Sequence, residues 1–374
     1  MENLRIGVSC YPSIGGSGIL AARLGVELAK KGNEVHFISY DMPAGIREVK
    51  HENIFFHHVS VFEYPLFKYP PYTAALASKM IEITQRHNLD LIHVHYAMPH
   101  AISALLSKIV TGTPYIVTLH GSDVNIVGNN PAYRLINAYS IENADSVTSV
   151  SKYLAQDARE KLCIKNEITV IPNFVDARTY SPPKEAERSD RFSIIHISNF
   201  RPVKRVQDII EAISLVAKVD EDVRLILVGD GPERGRAEEM VREKDLNRHV
   251  HFTGFRNDIP LLLKQSDAFV LSSDSESAPL TLLEAMSTGL PVISTRIGGV
   301  PEIVVNNENG ILVPPRSPEK IAESILRLKN DEKFRKRLGL EARKTILERY
   351  TSEKIVGKYE EVYQKASFRD SRKT

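Results

Sequence analysis

Cysteine is almost missing from this chain: Cys10 and Cys163 are the only two in 374 residues. Two thiols so far apart make neither a disulfide framework nor a thiolate metal site, and they point to a reducing compartment. Net charge is nearly missing as well. The 49 basic residues offset 47 acidic ones to leave +2, which excludes the strongly basic domain of a general nucleic-acid binder. No apolar run reaches the roughly 20 residues that span a bilayer. The N-terminal Met-Glu-Asn-Leu-Arg-Ile-Gly-Val lacks the basic-then-apolar layout of a secretory signal. The expectation is a soluble cytoplasmic protein with small-molecule partners, no nucleic acid and no membrane insertion. Its oligomeric state stays open between monomer and homo-oligomer.

What is present suits two α/β domains. The length favours two cores over one, and a hydrophobic content of 42% can fill them. Short, near-continuous apolar runs at 5–9, 35–39, 91–95, 115–119 and 146–150 read as strands buried on both faces. Helical patterns fall at 19–31, 73–86 and 132–142. The second half repeats the scheme, with strands predicted at 193–197, 224–228, 268–271 and 291–294 and helices at 206–219, 233–244 and 280–288. Strands alternating with helices imply doubly wound parallel sheets. A break is predicted near Ile171-Pro-Asn-Phe-Val-Asp176, and the polar, Pro-rich stretch 181–190 reads as a linker. Two terminal helices follow at 333–349 and 354–365, and the last few polar residues read as frayed. Ligands are expected at the carboxyl ends of the strands, in a cleft between the domains.

The most informative segment is Glu276-Ser-Ala-Pro-Leu-Thr-Leu-Leu-Glu284. Pro279 suits the first turn of a helix, where its missing N–H removes no bond. Glu276 then precedes the helix and Glu284 lies inside it. The free amides at Leu280 and Thr281, with the positive end of the helix dipole, suit a pyrophosphate, while the carboxylates suit sugar hydroxyls. That makes a nucleotide-sugar site. The same pattern also describes a surface helix flanked by two solvated acids.

Other segments carry chemistry at strand ends. Gly15-Gly16-Ser17-Gly18 follows the first strand and opens a helix, so its backbone can approach an anion closely. Gly16-x-Gly18-x-x-Ala21 matches the text of a dinucleotide fingerprint, but the glycines stand too far beyond the strand for the tight turn it needs. His120 and Ser122, in Thr118-Leu-His-Gly-Ser-Asp123, end another strand, where His120 can bond a sugar hydroxyl or respond to charge at the reacting carbon. His93 and His95 share a strand face and can ligate a metal in principle, but no third ligand stands at a recognisable spacing. Tyr96 beside them is the better substrate contact. Arg201 and Lys204, in Ser198-Asn199-Phe-Arg-Pro-Val-Lys-Arg205, suit a diphosphate leaving group, or form a solvated basic turn. Gly229-Asp-Gly-Pro232 is a further strand-to-helix turn, and Gly254 can frame a base with backbone groups. Gly298-Gly299 is another candidate anion loop or a plain turn.

In this order, the segments resemble the retaining glycosyltransferases of family 4, which have the GT-B fold, over nearly the whole chain. The resemblance rests on Gly15 to Gly18, His120, Arg201 with Lys204, the Gly229 turn, and Glu276 with Glu284. It implies residues 1–171 as an acceptor-binding Rossmann-like domain, joined by a C-terminal helix at about 352–368 that crosses back to it, and 172–351 as the nucleotide-sugar domain. It implies His120, Arg201, Lys204 and Glu276 as catalytic. Donor contacts would come from Gly16, Ser17, Asn199, Gly229, Gly254, Leu280, Thr281 and Glu284, and acceptor contacts from Ser17, Tyr96 and Ser122. No metal or other cofactor is implied.

Cys10-Tyr-Pro-Ser-Ile-Gly-Gly-Ser-Gly18, Lys68-Tyr-Pro-Pro-Tyr72 and His93-Val-His-Tyr-Ala-Met-Pro-His100 look like the bacillithiol-pathway branch of that family. That implies UDP-N-acetylglucosamine as donor and L-malate as acceptor. Two positions depart from the family pattern. Ala278-Pro279 stands where Phe-Gly usually follows Glu-Ser, and Asn199 stands where an arginine is usual, a role left to Arg201. The rival readings are a family 4 enzyme with a lipid or other sugar acceptor, an NAD-dependent oxidoreductase using Gly16, Gly18 and Asp41, and a non-catalytic nucleotide-sugar binder.

Overall fold

The computed structural model describes residues 3–13, 15–183 and 191–368. Part of the expected linker (184–190), Ile14 of the first glycine turn, the first two residues and the tail after 368 lie outside the described residues. The chain forms two compact units: Met1–Asn173 with Ser352–Thr374, and Phe174–Thr351.

Unit 1 holds strands β1 (Arg5–Ser9), β2 (Glu34–Ser39), β3 (Ile54–His58), β4 (Leu91–His95), β5 (Tyr115–Leu119), β6 (Ser146–Ser149) and β7 (Ile168–Val170). They form one sheet in the order β3-β2-β1-β4-β5-β6-β7. Unit 2 holds β8 (Phe192–Ile197), β9 (Val223–Val228), β10 (Val250–Gly254), β11 (Ala268–Leu271), β12 (Val292–Thr295) and β13 (Ile311–Val313), ordered β10-β9-β8-β11-β12-β13. Every pairing between these strands is parallel. Each sheet reverses its strand order once, between β1 and β4 in unit 1 and between β8 and β11 in unit 2. In open α/β sheets, ligands bind beyond the strands' carboxyl ends at such reversals.

The cores follow from helices on both faces. In unit 2 one apolar cluster gathers Ile194, Leu225 and Val270 with Ile209 and Ile213 of the helix Val206–Ala217. The opposite cluster gathers Ile195, Phe269 and Val292 with Leu282, Leu283 and Met286 of the helix Leu280–Ser287. Adjacent residues on β8, Ile194 and Ile195, thus face opposite cores, which is why that strand reads as a continuous apolar run.

Several short elements escape sequence reading. β3 reads Ile54-Phe-Phe-His-His58 with no apolar–polar alternation, and the three-residue strands β7 and β13 are too short for any period to register. The helices Ala97–Thr111, Lys152–Leu162 and Pro318–Asn330 also went unpredicted. The first helix begins at Gly16 rather than at 19, so Gly16, Ser17 and Gly18 form its opening turn. Pro279 stands as the extended cap of its helix, one residue before the expected first turn.

The C-terminal helix Ser352–Phe368 belongs to unit 1 and is tied to it by polar bonds. Buried Tyr363 places its hydroxyl 2.8 Å from His93 Nδ1 on β4, while His93 Nε2 lies 2.7 Å from Thr118 Oγ1 on β5. Lys31 pairs with Glu360 at 2.5 Å nearer the surface. Removing the Tyr363 hydroxyl strands a buried imidazole nitrogen, at a penalty of about 1–3 kcal/mol. Tyr363→Phe is therefore expected to speed amide hydrogen exchange in 352–368 by roughly 5- to 100-fold, a local readout that does not require the two units to unfold together. Unchanged exchange in that helix would show that this bond does not anchor it.

Candidate functional site

In unit 2 the chain leaves β8 through Ser198 and Asn199 and passes Phe200, whose φ is +38°. The neighbouring turn after β9 presses against this loop. A Cβ on Gly229 would meet the Ser198 carbonyl oxygen at 1.9 Å, and one on Gly231 would meet that of Asn199 at 2.0 Å. Both glycines have positive φ, so no side chain fits at either position. Gly229 also donates its N–H to the carbonyl of Gly254 at 2.8 Å, which brings the ends of β8, β9 and β10 together. Asn199 is exposed at this junction.

Arg201 caps the short 3₁₀ turn Pro202–Lys204. Its guanidinium is exposed and makes no hydrogen bond or ion pair among the described residues. Lys204 is held differently. Its Nζ lies 2.6 Å from Glu276 Oε1, and Ser273 Oγ donates to the same oxygen at 2.7 Å. Ser272 Oγ donates to the Lys204 carbonyl at 2.8 Å and Val203 accepts from the Asp274 N–H at 2.8 Å, so the cationic turn is stitched to the loop after β11. Gly299 N–H donates to the Glu276 carbonyl at 3.0 Å, which draws the Gly298-Gly299 turn into the same junction.

Four residues after Glu276, the helix Leu280–Ser287 begins with no side-chain cap. Its first-turn amides at Leu280 and Thr281 lack intrahelical acceptors and lie at the positive end of the dipole. Glu284 is buried in the second turn, four residues from Leu280 and therefore on its face.

His196, on β8, was not singled out from sequence. Its Nε2 lies 2.8 Å from Ser198 Oγ and its Nδ1 2.9 Å from the Val270 carbonyl. Burial pushes its pKa down to about 4, with Lys204 adding to the effect and the Val270 carbonyl and Glu276 opposing it. A neutral imidazole thus supports the loop that presents the cations.

In unit 1 the glycine turn folds back on itself. A Cβ on Gly18 would meet the Tyr11 carbonyl oxygen at 2.4 Å and that of Ser13 at 2.7 Å. Gly15 caps the 15-residue helix Gly16–Lys30, again without a side-chain bond, and Gly16 and Ser17 expose the helix start. Tyr96, at the end of β4, has φ +80° and places its hydroxyl 2.9 Å from Ser122 Oγ. Its ring meets Tyr11 edge-on at 5.1 Å. No hydrogen bond among the described residues joins Gly16 or Ser17 to Tyr96 or Ser122.

Buried Asp123, another residue missed from sequence, organises this edge. It accepts from the N–H groups of Gly121 at 2.7 Å, His120 at 3.1 Å and Ala97 at 3.2 Å. Burial raises its pKa, and those donors oppose the rise. His120 Nε2 lies 3.1 Å from His95 Nδ1. Burial first, then His100, pushes His120 down to about 3, so near neutral pH it is an uncharged hydrogen-bonding group and not a cation. His93 is engaged at both nitrogens, whereas His95 is engaged through Nδ1. Asp41, the acid of the dinucleotide reading, pairs with Arg47 at 2.9 Å on the surface. No helix among the described residues is long and apolar enough to cross a membrane.

Known proteins resemble this chain over nearly its whole length. The family model described as "Glycosyltransferase Family 4" matches residues 14–179, and that described as "Glycosyl transferases group 1" matches residues 178–345. The chain is 41% identical over 369 residues to the N-acetyl-alpha-D-glucosaminyl L-malate synthase of Bacillus anthracis, covering 96% of each chain. Its fold is similar to a crystal structure of a glycosyltransferase from Rickettsia africae, with a TM-score of 0.80 at 21% identity over 98% of this chain and 99% of that one. It is equally similar to Anabaena HepE in complex with UDP, with a TM-score of 0.80 at 19% identity over 96% of this chain and 99% of that one.

The buried histidines give the protein an acid limit. Folded His93 and His120 titrate at about 3 and His100 and His196 at about 4, against 6.5 for a free side chain, with burial the leading cause each time. The unfolded chain therefore binds more protons, so this stability is fully present above about pH 6.5 and is lost as pH falls toward 4 and 3. Calorimetric Tm is expected to fall steadily from about pH 7 to about pH 5, with net proton uptake on unfolding. A flat Tm across that interval would show that these imidazoles are not held neutral.

Proposed function

Because the chain belongs to the group 1 and family 4 glycosyltransferases, we propose that it transfers N-acetylglucosamine from UDP-N-acetylglucosamine to L-malate with retention of configuration. The observation that carries this reading is the near full-length similarity, at 41% identity, to a protein named N-acetyl-alpha-D-glucosaminyl L-malate synthase. The local geometry supports it. Unit 2 takes the donor: unpaired Arg201, Lys204 and the uncapped start of the helix Leu280–Ser287 neutralise the diphosphate, and Glu284 accepts the ribose hydroxyls. Lys204 is already fixed by Glu276 at 2.6 Å. When the diphosphate enters, the lysine shares its charge with the departing phosphate, and Glu276 turns to a hydroxyl of the donor sugar. Transition-state charge therefore meets cations that need little reorganisation. Asn199 lines this turn without a charge, so Arg201 carries the second positive charge in this reading. Pro279 offers no N–H, which leaves the amides of Leu280 and Thr281 as the helix's contribution.

Unit 1 takes the acceptor. A small dianion suits the exposed amides of the Gly15 to Gly18 turn, helped by Ser17. Tyr96 and Ser122 hydrogen-bond each other at 2.9 Å, which sets two hydroxyls side by side where a carboxylate would be received. Neutral His120 bonds a sugar hydroxyl. The acceptor hydroxyl attacks the anomeric carbon on the face the phosphate leaves, and a phosphate oxygen takes its proton. The bond to the phosphate oxygen breaks as the bond to malate oxygen forms, releasing UDP. No metal is required in this reading, because side-chain cations neutralise the leaving group and no Asp-x-Asp motif follows a strand. The setting is cytoplasmic, with these two small molecules as the partners.

Incubation with UDP-N-acetylglucosamine and L-malate is expected to release UDP and form an α-linked glucosaminide, and to continue in excess EDTA. UDP release that ignores malate but responds to a lipid or a sugar acceptor would overturn the acceptor. Activity lost in EDTA and restored by magnesium or manganese would overturn metal independence. Glu284→Ala is expected to weaken UDP binding about tenfold or more, since a charged hydrogen bond contributes about 1.5–3 kcal/mol; equal affinity in calorimetry would reassign the ribose contact. Tyr96→Phe is expected to raise KM for malate several-fold while moving KM for the donor little, and a uniform change in both would remove Tyr96 from the acceptor contacts.

A further inference from the structure

Three histidines from three elements meet on one face of the unit 1 sheet. β2 and β3 pair with His36 opposite Phe55 and Ile38 opposite His57, so all four side chains share a face. The other face, through Phe37, receives the helix Gly16–Lys30 at Gly25. His87 is the last residue of the helix Tyr72–His87. One ring nitrogen from each of the three lies within 4.8 Å of the other two. His36 Nδ1 is 2.9 Å from His57 Nε2, and the ring centroids stand 5.2 Å (His36 to His57), 4.6 Å (His36 to His87) and 5.3 Å (His57 to His87) apart.

A stack of imidazoles resting on Phe55 would account for the ring contacts. It does not account for the nitrogens. His36 is fully buried, and its Nε2 has no hydrogen-bond partner among the described residues. An orphaned buried nitrogen carries a penalty that a partner removes, and a proton kept on Nε2 leaves the Nδ1 lone pair for a metal. The nearest acid is Glu34, whose half-exposed carboxylate lies 3.8 Å from that Nε2 and is free to swing.

We propose that His36 through Nδ1, His57 through Nε2 and His87 hold a divalent transition-metal ion of the zinc type, with solvent as a fourth ligand and Glu34 accepting from the outward His36 Nε2–H, fastening the helix Tyr72–His87 to β2 and β3. Zinc bound to imidazole at about 2.0–2.1 Å in a tetrahedron needs nitrogens about 3.3 Å apart. The close pair must open slightly and the widest gap must close by about an ångström or more, which side-chain rotation supplies. Ligands must also be neutral. Burial holds His36 and His57 down to about 4, with the neighbouring histidines adding to it, so both are neutral near pH 7 and the metal replaces the hydrogen bond between them. Arg5 faces His36, and Lys79, Arg86 and Glu82 face His57. The cations oppose a metal, while Glu34, Glu82 and the negative end of the helix favour it. His57 and His87 are half-buried, which leaves a way in from solvent.

The test uses untagged full-length protein stripped with chelator and titrated with Zn2+ in calorimetry and with Co2+ by visible absorption. One equivalent is expected to bind with Kd of about 10 μM or tighter, with the intense visible bands of tetrahedral cobalt and a raised Tm. His87→Ala, at a half-exposed helix end, should weaken binding at least about tenfold, and Glu34→Gln should weaken it less. His57→Asn should behave as His87→Ala; if it does not fold, the His87 and Glu34 variants decide. UDP release by His87→Ala should match the parent protein. No saturable binding at one equivalent, or one-equivalent binding that survives His87→Ala unchanged, overturns the proposal.

Discussion

Parallel pairing is the constraint on which the rest of this structure depends. A parallel strand cannot be joined to its neighbour by a tight hairpin, so each must return through a crossover, here almost always a helix. All strands of a unit then end on the same edge, and the loops that follow them gather there. The single reversal of strand order in each sheet separates adjacent loops, and the chemistry-bearing residues fall beside it. In unit 2 these are the turn after β8 with Lys204 and the loop after β11 with Glu276; in unit 1 they are the glycine turn after β1 and Tyr96 after β4.

Close approach of backbone is the second consequence. Gly18, Gly229 and Gly231 each bring a turn so near a carbonyl oxygen that a methyl group would overlap it. Their first role is therefore steric. A glycine turn read as an anion cradle is also the joint that lets two strand ends share one small surface, and the two roles use the same missing Cβ.

Buried polarity is the third. Both sheets carry histidines and hydroxyls where parallel strands normally carry aliphatic side chains, and most find partners: His93 with Tyr363 and Thr118, His196 with Ser198 and the Val270 carbonyl. Satisfied in this way, neutral imidazoles hold loops in place without adding charge at the strand ends. The charged members are arranged differently. Lys204 is held against Glu276, whereas Arg201 is exposed and has no side-chain partner among the described residues, so one cation is oriented in advance and the other is not.

Much was legible along the chain because it depends on near neighbours. The apolar runs of β1, β4, β5, β8 and β11 announce doubly buried strands, and the order of Gly15 to Gly18, His120, Arg201, Lys204, Glu276 and Glu284 announces the family. Pro279 between two acids marks a helix start to within one residue. Asp123, His196 and the meeting of His36, His57 and His87 could not be read in this way. Each is an ordinary residue in its own segment, and its meaning comes from groups that only sheet register and helix packing bring within hydrogen-bond reach. Sequence determined which segments bury both faces and which residues end the strands, since periodicity and turn chemistry act over a few residues. Tertiary structure alone decided which side chains share a partner, because a bond such as His93 to Tyr363 spans 270 positions and depends on the path of everything between them.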